Sequence, residues 1–570
     1  MLLAIPISMF SKRRLLGLAT VVTATALVAC GDDAAGPENQ SPSVTITTPS
    51  SGAEFVVGDP VGFRGSAIDP EDGALTGASL EWVSSIDGLF QTGGVVEYNA
   101  LALGEHTIWL RATDSQGATD SASVSVIVAA APEPGVVVED SAGSIFRTLR
   151  VGLEAPAAIQ VDYWSAETPR LRVTSPAQTS RHRVFLPRLK ASLWYDYEVR
   201  AAGGADPSIL YSGRFQTDTL PSSVSAIQFF AEGTPTSTLT MIEARTPFAQ
   251  VIVDQDGEVV WFRIGAETKK TTGFTRLANG DFVFNDWEEL SVETPESRVV
   301  ARLPRIAGMG QMHHDVVTTA QNTVLFLAQE PGLVNDTMWI GEAVWEWDPE
   351  FDVLVKRWSS FDFLSPDVDR GPRTKTTDWL HANSLAIGPR GNVLVSMMWT
   401  QEVVSIAPDY QSLEWRLGGP ASSFVVAGGA MDGGQHTAGE VRPGRVLMFD
   451  NGQDRPDSTF FSRALEIRLD ERAGTAEAIW EFRLQPDMYA GAQGSARRLG
   501  NGNTVVAFAL AEGVFDATGP IIVYEVTPSS QVVWSLRVEG VRMIYRATPM
   551  AHVGGEEVVG PAVMRAHAPD

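Results

Sequence analysis

The feature that most constrains the fold of this chain is an imperfect repeat that runs from about residue 225 to the end. Each unit has a turn ahead of an apolar strand, and the turns fall at residues 279–281, 321–323, 390–392, 443–445 and 501–503. A later strand of most units ends near a tryptophan, and these residues are Trp261, Trp358, Trp415, Trp480 and Trp534. The strand at 299–302 fills the wide gap after Trp261. Units of roughly 40 to 70 residues are typical of propeller blades, so the pattern predicts a six-bladed β-propeller, with seven blades as the alternative.

A chain of 570 residues is longer than one compact domain, so several domains are expected. Two further modules precede the repeat. Residues 43–130 alternate short strands with turns and resemble the bacterial Ig-like and PKD-like β-sandwich domains. Residues 134–220 follow a Pro-Glu-Pro-Gly boundary and resemble a fibronectin-III-like sandwich. The prediction is an all-β chain with two N-terminal β-sandwich modules followed by a C-terminal six-bladed β-propeller at 225–570. Since every candidate site residue lies beyond residue 310, we expect residues 43–220 to be removable without loss of the propeller.

The N-terminus has the pattern of an export signal. Three basic residues at 12–14 precede an apolar run that ends at Ala29, immediately before Cys30. A basic head, a short apolar segment and small residues before the cut are typical of a secretory signal. Cys30 is the one cysteine of the chain, and its position resembles the lipobox of bacterial lipoproteins; a buried free cysteine is the alternative. We therefore expect a lipoprotein signal peptide at 1–29, lipidation of Cys30, and a small, polar and flexible tether at 30–42.

The formal net charge of −26 limits the partners of the chain. An acidic protein repels phosphate backbones, so nucleic acid is not expected as a partner. After residue 30 the sequence has no apolar stretch long enough to span a bilayer. The expected location is the cell envelope, with attachment through Cys30 to the outer membrane on its periplasmic or surface face, because Gly31 gives no recognised inner-membrane retention signal. No oligomeric state follows from the sequence.

Three of the eight histidines occupy similar places in the repeat. His314 and His436 stand at the same distance ahead of the turn of their units, and His381 stands two residues further ahead of its own. Residues in the same phase of successive blades lie at similar radius and height. If the strand after these histidines is the innermost one, the three imidazoles converge at the mouth of the central channel. The alternative is three histidines at unrelated loop sites.

A cluster of imidazoles has two common uses. One is metal binding, for which His314-Asp315 offers a carboxylate, although no HxH or HExxH spacing is present. The other is nucleophilic or acid–base catalysis on an anion, because neutral imidazole attacks and imidazolium stabilises negative oxygens. The spacing favours the second use and leaves the first open.

The region from about 310 to 510 resembles the aryl-sulfate sulfotransferase family, whose members do not use a nucleotide sulfate donor. The matching segments, in chain order, are MHHDV at 312–316, DWLHANS at 378–384, EWRLGG at 414–419, QHTA at 435–438, FDNG at 449–452, SRALEI at 462–467, GS at 494–495, LGNGN at 499–503 and IYRA at 544–547. The number and order of these segments indicate a family relationship, and each of the three histidines falls on one of them.

The resemblance implies a ping-pong transfer of sulfuryl groups from aryl sulfates to phenols, with no metal and no cofactor. It implies that His436 is the nucleophile that becomes sulfated. His314, His381 and Asn383 are implied to bind the sulfuryl and phenolic oxygens. Tyr545 and Arg546, which lie on the last matching segment, are candidate substrate-binding residues. Among the adjacent histidines, we expect His314 rather than His313 to face the site, because neighbouring strand residues point to opposite faces.

Two positions depart from the family pattern. An arginine that helps to hold the sulfate usually follows the H-x-N-S segment in the next strand, and here Met398 stands in its place. Arg546 and Arg497 are candidates to replace it. Thr437 follows His436 where many relatives carry aspartate. Two other functions therefore stay open: a surface-binding propeller that has lost catalysis, which Met398 favours, and a metal-assisted hydrolase or lyase.

Overall fold

The computed structural model describes residues 39–559 except for 59, 131–132, 141–143, 204–207, 247, 266–271, 372–373, 375, 428–430, 432, 454 and 456–458. The predicted signal peptide, Cys30 and most of the predicted tether lie outside the described residues. The described chain is almost entirely β-strand. Its helices are the four-residue α1 (Ser222–Ser225) and three 3-10 turns at Gly77–Ser79, Ser360–Asp362 and Val514–Asp516. Among the described residues, no helix has the length and apolar character needed to cross a membrane.

The described chain divides into two compact units. One unit consists of Arg64–Val96, Thr107–Val124 and the described residues before Thr47. The other consists of Thr47–Phe63, Glu97–His106 and the chain from Ser125 onward, so it holds the second sandwich and the whole propeller.

The first sandwich is built from two sheets. One sheet has the order β1-β3-β4 with β7 beside β3, and the other has the order β2-β9-β8-β5-β6. Every second residue of β5 is buried, which places Trp82 opposite the equally buried Leu110 of β8. The strands are β1 (Ser43–Thr48), β2 (Ala53–Val56), β3 (Val61–Asp69), β4 (Gly73–Leu75), β5 (Leu80–Ser84), β6 (Gly88–Thr92), β7 (Val95–Tyr98), β8 (Gly104–Thr113) and β9 (Thr119–Ala129).

The second sandwich contains two long strands, one of which changes partners along its length. Its strands are β10 (Gly135–Asp140), β11 (Arg147–Trp164), β12 (Leu171–Leu186), β13 (Trp194–Ala201) and β14 (Ile209–Gln216). The start of β11 pairs with β10, while its end pairs with β13, and register shifts between Gly152 and Ile159 separate the two parts. Such bulges bend a strand. The module has its own core, which includes the buried side chains of Val161, Tyr163 and Tyr195.

The propeller consists of six antiparallel sheets, as the repeat predicts. Its strands are β15 (Gln228–Gly233), β16 (Leu239–Arg245), β17 (Ala249–Asp254), β18 (Val259–Ile264), β19 (Phe274–Arg276), β20 (Phe282–Asn285), β21 (Glu289–Glu293), β22 (Val299–Pro304), β23 (Met312–Thr318), β24 (Val324–Val334), β25 (Thr337–Asp348), β26 (Val353–Ser359), β27 (Ala382–Ile387), β28 (Val393–Met397), β29 (Glu402–Ile406), β30 (Leu413–Gly418), β31 (Val425–Val426), β32 (His436–Arg442), β33 (Arg445–Asp450), β34 (Arg463–Asp470), β35 (Thr475–Arg483), β36 (Ser495–Arg498), β37 (Thr504–Phe508), β38 (Ile521–Val526), β39 (Val532–Glu539) and β40 (Met543–Met550).

We number the sheets as blades in chain order. Blade 1 has the order β40-β16-β17-β18, blades 2, 3 and 4 are β19–β22, β23–β26 and β27–β30, blade 5 is β32–β35 with β31, and blade 6 is β36–β39 with β15. The first strands of neighbouring blades pack against one another and surround the axis. Both ends of the propeller close the ring, because β15 completes blade 6 from outside and β40 forms the innermost strand of blade 1.

The tryptophans of the repeat lie on the fourth strand of their blades, counted from the axis. Trp261, Trp358, Trp415, Trp480 and Trp534 belong to β18, β26, β30, β35 and β39. Each predicted turn joins the first strand of a blade to its second strand. The innermost strand of these blades is therefore the one before the turn, and in blades 4 and 5 it begins at or directly after a histidine, His381 or His436. The three histidines lie on the innermost strand itself or one residue before it, and they reach the axis.

The second sandwich shares a hydrophobic core with the propeller. Phe146 stacks on Phe262 and Trp261 of blade 1, with ring centroids 5.3 and 6.3 Å apart. Lys190 forms a 2.7 Å ion pair with Asp254 of the same blade. The last described strand, β41 (Glu557–Val558), follows the propeller and pairs with β12 of the sandwich. Removal of all residues 43–220 would uncover this core, so we revise the expectation that the whole segment is removable.

Candidate active site

One end of the central channel collects the residues that the sequence singled out. Neighbouring strands of each blade are antiparallel, so the innermost strand starts at the same end at which the second strand stops. His381 immediately precedes β27, His436 opens β32 and His314 is the third residue of β23. Trp399 follows the end of β28, and Arg245 is the last residue of β16. The fold therefore places all five residues at one mouth of the channel.

The backbone at this mouth departs from regular strand geometry. His314 and His381 have positive φ angles of 57° and 52°, in the left-handed region that non-glycine residues seldom occupy. Register shifts occur beside each histidine, between His313 and Val316, between Ala382 and Ser384, and beyond His436. Bulges re-aim side chains, and unusual backbone conformations cluster at functional sites. The irregular backbone turns the three imidazoles toward the channel.

The imidazoles of His314 and His381 are part of a continuous group of rings. Their centroids are 5.1 Å apart, and the His381 ring lies at the same distance from the indole of Trp399. On its other side His314 lies 5.9 Å from the ring of Tyr545 and 6.0 Å from that of Trp287. The group presents both imidazole nitrogens and aromatic faces, which suits a ligand with an anionic group on an aromatic ring.

His436 is buried and its tautomer is fixed by its neighbours. The side-chain nitrogen of Asn451 donates to the carbonyl oxygens of Ala490 and Gln493, so its Oδ1 faces the ring of His436. Nδ1 of His436 donates to this Oδ1 at 2.8 Å and to the carbonyl of Gly434 at 2.9 Å. Nε2 is then the unprotonated nitrogen, and it accepts one long hydrogen bond of 3.2 Å from the amide of Gln493. Burial lowers the pKa of His436 to about 4 despite the opposing effect of the Nδ1 hydrogen bonds.

The surroundings of His381 favour its protonated form, in contrast to those of His436. Burial acts to lower its pKa, but the hydrogen bond from Nδ1 to Oδ2 of Asp378, 2.7 Å long, and the charge of that carboxylate outweigh burial. The net effect raises the pKa of His381 above its ordinary value. The mouth of the channel thus holds His436, whose neutral form is favoured, and His381, whose protonated form is favoured. This difference suits a nucleophile at His436 and an acid at His381.

The side chains of His313 and His314 contact each other, although we expected them to point to opposite faces. Their Nδ1 atoms are 2.6 Å apart, because the left-handed conformation of His314 and the adjacent bulge break the strand alternation. His313 also donates from Nε2 to Oε2 of the buried Glu342 at 2.9 Å. Burial, followed by the charges of the neighbouring histidines and Arg245, holds the pKa of His314 well below its ordinary value. Glu342, His313 and His314 form a continuous polar chain that ends in the site.

The remaining predicted residues lie directly behind the histidines. Arg546 donates to Oδ1 of Asp315 at 2.7 Å and to the carbonyl of His314 at 3.3 Å, so its described hydrogen bonds support the His314 segment. Tyr545 donates from its hydroxyl to the carbonyl of Asn383 at 2.9 Å. The side-chain nitrogen of Asn383 donates to the carbonyl of Gln435, which precedes His436, while its Oδ1 is buried without a hydrogen-bond partner. These contacts connect the innermost strands of blades 1, 3, 4 and 5.

Four residues of the site were missed by the sequence analysis. Asp378 and Asn451 lie on family segments: Asp378 opens the segment that contains His381, and Asn451 lies on the segment at 449–452. The sequence analysis gave neither residue a role. Trp399 stands beside Met398, and only the fold shows that its ring reaches His381. Arg245 belongs to no recognised segment, so no sequence signal identified it.

The central channel also contains a cavity of about 360 Å³ at later positions of the innermost strands. Asp315, Thr437 and Arg497 are among its lining residues, which do not include the three histidines. The cavity thus lies beneath the histidine cluster. Within the described part of the chain, no group of three or more His, Cys, Asp or Glu side chains is arranged to hold a metal ion.

The solved structures that this chain resembles are of low identity. A protein of unknown function from Bacteroides caccae is 14% identical with a TM-score of 0.39, over 55% of this chain and 98% of that one. Virginiamycin B lyase from Staphylococcus aureus is 8% identical with a TM-score of 0.29, over 55% and 99%. A two-domain fibronectin type-III segment of chicken tenascin is 15% identical with a TM-score of 0.13, over 32% and 100%.

The comparison with curated proteins gives no match. The comparison with protein families is more informative, because the family model described as arylsulfotransferase (ASST) matches residues 231–546. This span covers more than half of the chain and includes all six blades and the three histidines. The chain therefore belongs to the arylsulfotransferase (ASST) family.

Proposed function

We propose that the protein transfers a sulfuryl group from an aryl sulfate to a phenol through a covalent sulfohistidine at His436. Membership of the arylsulfotransferase family supports sulfotransferase activity on aryl sulfates and phenols. The observation that carries the finer proposal is the tautomer of His436, since Asn451 and Gly434 accept from Nδ1 and leave Nε2 unprotonated. With a pKa of about 4, this imidazole is neutral and able to attack under ordinary conditions.

In the first half-reaction Nε2 of His436 attacks the sulfur of the aryl sulfate. A bond forms between nitrogen and sulfur while the bond between sulfur and the phenolic oxygen breaks, and its electron pair stays with that oxygen. His381, protonated through its pairing with Asp378, donates a proton to the departing phenolate. A phenol has a pKa near 10, so it leaves more readily than an alkoxide, which accounts for an aryl donor.

In the second half-reaction an acceptor phenol enters in place of the first. Its oxygen attacks the sulfur of sulfohistidine, its proton passes to the now neutral His381, and the bond between nitrogen and sulfur breaks. His436 and His381 return to their starting protonation states, so the steps balance without a cofactor. The aromatic face of Trp399, whose centroid lies 5.1 Å from that of His381, supports binding of the phenolic ring beside the acid.

His314 would bind the sulfuryl oxygens, and the chain behind it supports that role. Oε2 of Glu342 lies 2.9 Å from Nε2 of His313, and Nδ1 of His313 lies 2.6 Å from Nδ1 of His314, so these three side chains form one hydrogen-bonded chain that would hold His314 in place. Asn383, Tyr545 and Arg546 would hold the histidines in position through the contacts described above.

A burst experiment tests the proposal. On mixing with 4-nitrophenyl sulfate in the absence of an acceptor, we expect prompt release of one equivalent of 4-nitrophenol, followed by slow turnover that a phenol accelerates. His436→Asn should abolish the burst, whereas His552→Gln, on a half-exposed histidine beside Arg276 away from the cluster, should retain it. A burst that survives in His436→Asn would contradict the covalent mechanism.

A binding propeller without catalysis is the second candidate, because Met398 stands where the family pattern has an arginine. Met398 follows β28 on the loop that carries Trp399, and its amide donates to the carbonyl of His381. Retained affinity for 4-nitrophenyl sulfate with no release of phenol under any tested acceptor would favour this function over transfer. Activity that is lost on chelation and restored by a divalent metal would favour the metal-assisted hydrolase or lyase.

We further propose that the protein is exported and anchored in the cell envelope through a lipid on Cys30. The support is in the sequence, where the single cysteine follows a basic head and an apolar run. The acidic, small-residue segment after Cys30 would act as a tether between the membrane and the first sandwich.

A further inference from the structure

The buried arginines around the site differ in how far their charge is compensated. Arg546 bonds to Asp315 and lies 3.7 Å from a carboxylate oxygen of Glu243. Arg263, elsewhere in blade 1, is held by both Asp286 and Glu293. Arg245 has no such arrangement: its Nε and Nη2 atoms are buried without a hydrogen-bond partner, and it forms no ion pair with any described carboxylate. Arg245 as a whole is half-buried, but a cation whose nitrogen atoms are buried without a partner is costly, and such groups in folded proteins call for an explanation.

The guanidinium of Arg245 lies at the mouth of the channel that holds the histidines. Its Cζ is 4.9 Å from the centroid of the Tyr545 ring, which is itself 5.9 Å from the ring of His314. The positive charge of Arg245 reaches His314, where it contributes to the lowered pKa. The ring of Tyr545 lies against the guanidinium in a cation–π contact, which orients the group and leaves its N–H edge for the oxygens of an anion.

The position of Arg245 corresponds to that of Met398 in another blade. Arg245 is the last residue of β16, the second strand of blade 1, and Met398 directly follows β28, the second strand of blade 4. In a six-bladed ring, blades 1 and 4 face each other across the axis. Guanidinium groups at these two positions would therefore enter the same mouth of the channel from opposite walls.

We propose that Arg245 binds the sulfate group of the donor and supplies the guanidinium that the family pattern places at position 398. The inference rests on the proposed function, and it names the residue that recognises the anionic part of the substrate. A sulfate ester carries one negative charge on three terminal oxygens, and a guanidinium can donate to two of them at once. The charge of Arg546 is paired with Asp315, whereas Arg245 lies at the same mouth without a described carboxylate partner, so Arg245 is the arginine whose charge is available to the sulfate.

Binding measured in a variant that cannot turn over tests this role separately from catalysis. In the His436→Asn background, titration calorimetry with 4-nitrophenyl sulfate gives the reference affinity. Addition of Arg245→Met should weaken binding about 10- to 100-fold, the range for loss of a charged hydrogen-bonded pair. Arg305→Met removes the same charge from an exposed pair with Glu288, and it should leave the affinity within about twofold.

A second substitution distinguishes a binding role from a structural one. Met398→Arg added to Arg245→Met should recover at least about tenfold of the lost affinity, because the guanidinium returns from the opposite wall. The melting temperature of Arg245→Met should stay unchanged or rise, since removal of an unpaired buried charge relieves a cost. A structural arginine would instead lower it.

Three results would overturn the inference: unchanged affinity in Arg245→Met, an equal loss in Arg305→Met, or no recovery on introducing Met398→Arg. The two proposals fail separately. Affinity that depends on Arg245 without any phenol burst in the native enzyme would refute the sulfohistidine and retain Arg245 as the anion-binding residue. A burst that requires His436 but does not change in Arg245→Met would retain the sulfohistidine and refute Arg245 as the anion-binding residue.

Discussion

Replacement of Asp378 by asparagine tests how the site assigns its acid and its nucleophile. Asp378 accepts from Nδ1 of His381 at 2.7 Å. Both side chains are mostly buried, so solvent screens the charge of Asp378 on His381 only in part. Its carboxylate is what raises the pKa of His381, while burial alone acts to lower it. Asparagine keeps the shape and removes the charge, so the pKa of His381 should fall.

The expected size of the change follows from the contact. A hydrogen bond to a charged group contributes about 1.5–3 kcal/mol, and about 1.4 kcal/mol corresponds to one pH unit in a pKa. The pKa of His381 should therefore fall by about one to two pH units in Asp378→Asn.

The pH dependence of kcat/KM reports this change. The proposed mechanism needs neutral His436 and protonated His381, so activity should be lost below about pH 4, as His436 becomes protonated. It should also be lost as the pH rises through the raised pKa of His381. In Asp378→Asn the alkaline limb should move to lower pH by about one to two pH units and the acid limb should stay. Asp409→Asn, which removes the same charge from an exposed turn of the same blade, should move neither limb. An alkaline limb that stays in place, or moves upward, would refute the assignment of His381 as the acid.

Three further predictions concern other parts of the molecule. Asn451→Ala removes the acceptor of the Nδ1 hydrogen of His436; kcat should fall by about 10²-fold or more, because the tautomer is no longer held, and a fall of less than about threefold would contradict this. Phe146→Ala should lower the free energy of unfolding in urea by about 3–5 kcal/mol, since the ring is buried against blade 1; Phe351→Ala, on a side chain that is 56% exposed, should change it little, and equal effects would argue against a shared core. Cys30→Ser should move the protein from the membrane fraction to the soluble fraction of the envelope, and retention in the membrane would exclude the lipid anchor.

Much of the fold follows from the sequence because its repeat has a physical origin. Trp261, Trp358 and their counterparts recur because the fourth strand of five of the six blades packs a tryptophan side chain into the blade, and the turns recur because the chain reverses between the first and second strands of a blade. The same periodicity brought His314, His381 and His436 together. Their phase within the repeat was visible in the sequence, whereas the strand that lines the axis could be given only as a condition.

Other parts of the site depend on contacts that a local pattern does not carry. The contact between His313 and His314 arises from a left-handed backbone and a bulge, which the rule of strand alternation does not anticipate. Arg245 enters the site because β16 lies beside β40, a strand roughly 300 residues later, and this pairing exists only once the ring closes. The packing of Phe146 against blade 1 is likewise a long-range contact, and it joins two modules that appeared separate in sequence.

The most direct test of the central claim is the location of the transferred group on the protein. The enzyme would be mixed with an aryl sulfate for less than one turnover, quenched, digested and analysed by peptide mass spectrometry. The account predicts one added sulfuryl group on the peptide that contains His436, with fragment ions that place it on this residue, and its disappearance when a phenol is added before the quench. A sulfuryl group on another residue, or full turnover with no modified peptide at any time, would contradict the account.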